Sequence, residues 1–106
     1  MHRLLEDAPE FGVGRAAAEA EIEAGRLGYR LLGKIDWQMC DDVRSELLKS
    51  FGVELHIHGN CITSISETAD TEGYNRRMQE EFVSRFGQDV VALVIRDVER
   101  KRKKPK

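Results

Sequence analysis

The sequence predicts a small α+β domain in which helices pack against a short antiparallel sheet. Three observations carry that expectation. Apolar residues recur at helical spacing in several segments, a run near residues 53–58 alternates between apolar and polar, and a Gly59-Asn60 pair separates two β-branched stretches. The last is the signature of a two-residue hairpin turn.

Taken in order, residues 1–14 contain Pro9, Gly12 and Gly14 and read as a flexible lead. Arg15 to Ala24 is rich in Ala and Glu, strong helix formers, and Gly25 closes it. Ile22 is the one large apolar side chain in that stretch, which places the helix at the edge of the domain. Tyr29 to Ile35 reads as a first strand. Asp41 to Phe51 is a second helix with Asp41 as N-cap, Val43, Leu47, Leu48 and Phe51 on one face, and Gly52 as its stop.

Val53–His58 and Cys61–Ser66 then form the hairpin. Thr71 to Phe86 is a third helix, with Tyr74, Met78, Phe82 and Phe86 as its buried stripe and Gly87 at its end. Residues 90–98 fit two patterns. Four β-branched residues in six suit a buried strand, which would complete a ferredoxin-like βαββαβ order. A helical stripe that reaches Val98, an N-cap at Asp89 and a basic end favour a helix instead. One domain over 15–99 with a basic, disordered tail at 100–106 is the expected organisation.

The composition, 41% apolar and 34% charged, is that of a globular chain. No apolar run reaches the roughly 18 residues that span a bilayer, so no membrane insertion is expected. The N-terminus lacks the apolar core of a signal peptide, and two cysteines make no disulfide framework; both point to the cytoplasm. Charge is uneven. Residues 1–95 carry ten Lys/Arg against seventeen Asp/Glu, and residues 96–106 carry seven against two. An acidic body is unlike a dedicated nucleic-acid-binding surface.

Three constellations could carry chemistry. In the hairpin register His56, His58 and Cys61 share one face, a donor set suited to zinc or copper, although a fourth ligand is missing. Arg100, Lys101, Arg102, Lys103 and Lys104 could hold nucleic acid or an acidic partner through counterion release. Arg76 and Arg77 could grip an anion, but Glu80 and Glu81 follow one turn later and neutralise them. Cys40 precedes two carboxylates that disfavour its thiolate, and Trp37 has no convergent polar groups around it. There is no phosphate loop, nucleophile elbow or H-E-x-x-H motif.

The reading is therefore a non-enzymatic protein-interaction or regulatory module, acting as a homodimer without a cofactor. A zinc or copper protein using His56, His58 and Cys61 is the first alternative, and a nucleic-acid accessory protein using the tail is the second.

Overall fold

The computed structural model describes residues 8–32, 37–58 and 65–103. Its elements are α1 (Pro9–Glu23), β1 (Leu27–Leu32), α2 (Trp37–Phe51), β2 (Val53–His58), α3 (Ile65–Phe86) and α4 (Val90–Lys103). The expected α+β composition holds broadly, but the antiparallel hairpin sheet does not. β1 and β2 pair in parallel, from Leu27 opposite Val53 to Leu32 opposite His58. Among the described residues they form a two-stranded sheet, joined by α2 as the crossover.

The correction has a physical cause. A Gly-Asn turn is a local signal, whereas a parallel crossover turns Val53 and Leu55 into the core against α2. The second half of the expected hairpin is partly spent on a helix, since Ile65 and Ser66 belong to the first turn of α3. The ferredoxin-like order falls with it, because residues 90–103 are helical. Asp89 caps that helix, accepting hydrogen bonds from the amides of Val91 at 3.1 Å and Ala92 at 3.3 Å.

Gly52, at φ +68°, lets the chain leave α2 and enter β2 with no intervening loop. The core gathers Val43 and Leu47 of α2, Val53 and Leu55 of β2, Tyr74, Met78 and Phe82 of α3, and Val90, Val91, Val94 and Val98 of α4. Two expected core positions lie elsewhere. Leu48 is 55% exposed and Phe86 36%.

The tightest contact in the molecule is between α1 and α3. Gly14 on α1 lies against the backbone of Asp70 and Tyr74, Gly73 on α3 lies against that of Phe11 and Arg15, and buried Ala18 and Ala69 stand one turn from each glycine. A Cβ at Gly14 would fall 1.8 Å from the Asp70 carbonyl oxygen, and one at Gly73 would fall 2.0 Å from that of Phe11. The backbones are therefore too close for any side chain. Ion pairs run along the same seam. Arg15 makes a two-pronged bond to Glu80 at 3.1 and 3.2 Å, and Arg77 bonds Glu19 across the helices and Glu81 along its own. The guanidinium of Arg76 lies 5.1 Å from the Phe11 ring centre. α1 starts at Pro9, six residues before the Arg15 expected from propensity, because Phe11 and Gly14 are needed at this crossing.

Three glycine substitutions test the crossing. Gly12 has open space around it, so Gly12→Ala should stabilise the protein by about 0.5–1 kcal/mol through helix propensity. Gly14→Ala and Gly73→Ala should each destabilise by about 3 kcal/mol, the upper end for overpacking, since backbone must move. Urea unfolding measures all three, and similar values for Gly12→Ala and Gly14→Ala would contradict the close approach.

Candidate functional site

Alternate residues of the parallel pair share a face, so Gly28 and Arg30 of β1 lie on the same side as Glu54 and His56 of β2. α3 and the end of α1 bring polar groups to that face. The Tyr74 hydroxyl donates to Glu21 at 2.7 Å, and the Arg30 guanidinium carbon sits 4.0 Å above the Tyr74 ring. One Arg30 amino group, Nη1, donates to Asp70 at 3.2 Å.

Gly28 is the floor of this cluster. A Cβ there would fall 2.2 Å from the Tyr74 hydroxyl oxygen and 3.2 Å from Nε2 of His56. Only a glycine lets both groups stand over the strand.

Asn75, next along α3, turns to the edge of β1. Its amide nitrogen donates to the Arg30 carbonyl at 2.7 Å and its oxygen accepts from the Arg30 amide at 2.8 Å. This is the pair of bonds a neighbouring strand would supply. Asn75 and Tyr74 are both buried, at 8% and 0% exposure.

The electrostatics follow from burial. Removal from water, then the hydrogen bond to Glu21 and its charge, push the Tyr74 phenol well above its ordinary value, with Arg30 opposing in part. Tyr29 is raised too, first by burial and then by the charges of Asp89 and Glu72. Both phenols stay neutral at physiological pH, so neither is a ready base or nucleophile.

The residues singled out from sequence are placed as follows. His56 is partly buried over Gly28, and His58 is the last residue of β2, two positions on. Cys61 lies outside the described residues. Among the described residues β2 pairs with β1, in parallel. Among the described residues no group of three His, Cys, Asp or Glu could hold a metal ion. Arg100, Lys101, Arg102 and Lys103 belong to the last turn of α4, and Lys104 lies outside the described residues. Arg100 is 3.9 Å from Asp97, and Arg102 is 3.4 Å from Asp42 on α2. Cys40 is buried in α2 at 2% exposure. Arg77 meets Glu81 one turn on, as its spacing suggested, but Arg76 meets Glu72 and Arg15 takes Glu80.

Sequence reasoning missed Gly28, Arg30, Asn75 and the polar end of Tyr74. One signal was available. Asn is a poor helix former, and Asn75 sits in the interior of α3 two residues after Gly73, which is poorer still. No family model, curated protein or solved structure matches the chain.

Two predictions follow from the cluster. Asn75→Ala leaves a buried amide and carbonyl of Arg30 without partners and should cost about 2–4 kcal/mol in urea unfolding. A loss under 0.5 kcal/mol would show that the edge bonds are dispensable. Tyrosine in the unfolded chain ionises near 10.0, whereas folded Tyr74 and Tyr29 hold their protons higher. Stability should therefore be intact below that pH and fall as pH rises through it. Tyrosinate absorbance should appear together with unfolding; full ionisation in the folded protein near 10.0 would contradict the burial.

Proposed function

We propose that the chain works by binding and not by catalysis, as a small interaction module that pairs with a second copy of itself. One observation carries this reading. Leu48 and Phe51 on α2 and Val83 and Phe86 on α3 supply apolar side chains that are linked where the Phe51 and Phe86 rings meet edge-to-face at 5.2 Å. Leu48 is 55% exposed and Val83 52%, and each lies one turn from its phenylalanine. Such a strip on a chain of 12.1 kDa is apolar surface that a partner would cover.

The titratable groups near the sheet support binding over catalysis. Glu21 is engaged by Tyr74 and Asp70 by Arg30, so neither is poised as a general acid or base. No helix is long and apolar enough to cross a membrane among the described residues. With only two cysteines in the chain, a reducing cytoplasm is the setting we infer.

The strength of pairing can be bounded. Covering a half-exposed Leu, Val or Phe contributes on the order of 1 kcal/mol. A strip of four per copy therefore supports a weak, concentration-dependent dimer once the entropy of association is subtracted.

Sedimentation equilibrium tests this directly. Wild-type chain should shift toward twice 12.1 kDa as concentration rises, and Leu48→Glu with Phe86→Glu should stay at 12.1 kDa with unchanged helical circular dichroism. A strict monomer at high concentration, or a dimer untouched by the double substitution, would contradict the proposal.

A further inference from the structure

Arg30 and His56 face each other across the parallel pair, on the sheet face that carries Gly28. Their hydrogen-bonding capacity is not used up. Arg30 has five side-chain N–H donors in a fixed fork. Asp70 engages Nη1, while Nε and Nη2 bond nothing among the described residues. His56 is partly buried, and neither ring nitrogen has a hydrogen-bond partner among the described residues.

These unused donors are held in place. The guanidinium carbon lies 4.0 Å from the centre of the Tyr74 ring, and Asp70 holds one arm at 3.2 Å. The imidazole stands over Gly28, where its Nε2 and the Tyr74 hydroxyl crowd the space a Cβ would take. The Arg30 side chain is partly open to solvent, at 22% exposure. A planar guanidinium edge with two adjacent N–H groups matches the two oxygens of a carboxylate.

We propose that Arg30 and His56 form a binding site for a small carboxylate, with the fork of Arg30 taking both oxygens and His56 donating a third bond. Charge selects this ligand over a phosphate. Asp70 already offsets Arg30, Glu54 lies exposed on the same face beside His56, and Glu21 sits behind Tyr74. With Asp70 on the guanidinium and Glu21 and Glu54 acting on the neighbouring Tyr74 hydroxyl, a single negative charge is tolerated better than two. The site lies apart from the strip of Leu48 and Phe86, so it stands whether or not the chain pairs with itself.

Nuclear magnetic resonance of the full chain tests the proposal, with sodium acetate as probe and sodium chloride as the matched control. Acetate should shift the His56 ring resonances along a saturable curve that chloride does not produce. Arg30→Lys keeps the charge but loses the fork and should weaken acetate at least tenfold, with the spectrum of the core unchanged. His56→Gln should weaken it severalfold, followed on the Arg30 Nε–H resonance. A linear response shared with chloride, or full affinity in Arg30→Lys, would overturn the site. Phosphate binding more tightly than acetate would overturn the carboxylate assignment. A short peptide with a free C-terminal carboxylate, compared with its amidated form, separates the two sources. Tighter binding of the free form than of acetate assigns a protein terminus, and equal binding assigns a free small acid.

Discussion

The two hydrogen bonds between the Asn75 side chain and the backbone of Arg30 are the constraint on which the architecture rests. Two strands alone make a marginal sheet, because each has an unpaired edge and little surface to bury. Here α3 supplies what a third strand would have supplied. The amide of Asn75 closes the outer edge of β1 at its middle, and Tyr74, the preceding residue, turns its hydroxyl over the strand at Gly28. A single turn of α3 therefore fixes both the edge and one face of the sheet.

That turn is positioned by the glycine crossing. Gly14 and Gly73 let α1 and α3 meet backbone to backbone, with Ala18 and Ala69 buried one turn from them. With α1 held there, Glu21 near its end reaches the Tyr74 hydroxyl, and the phenol stays neutral and fixed. The chain of cause runs from small residues, to close helices, to an oriented tyrosine, to an arginine held over its ring. The apolar strip of α2 and α3 draws on a different part of the molecule, the C-terminal turns of the same two helices. The polar cluster and the apolar strip thus occupy separate surfaces.

The sequence exposed some of this and hid the rest for identifiable reasons. The helical stripe from Val90 to Val98 and the Asp89 cap are local features, and both are found. The stripe of Tyr74, Met78 and Phe82 is equally local and is fully buried. The Gly59-Asn60 pair misled because turn chemistry says nothing of which strand is available as a partner, and the crossover through α2 decided that. Leu48 shares one apolar face with Val43, Leu47 and Phe51 by spacing yet is exposed, because helical spacing cannot show where a face runs out of neighbours. His56 was singled out for a ligand set built on the hairpin, whereas its neighbours are Gly28, Tyr74 and Arg30, 18 to 28 positions away in the chain. No single segment contains that grouping.

The most direct test of this account is native-state hydrogen exchange at the Arg30 amide. If the Asn75 side chain truly serves as the missing strand, that amide should exchange only through global unfolding, as slowly as amides in the middle of α3. Exchange as fast as that of exposed amides, under conditions in which α3 stays protected, would show that the edge of β1 is open and that the sheet is held by something else.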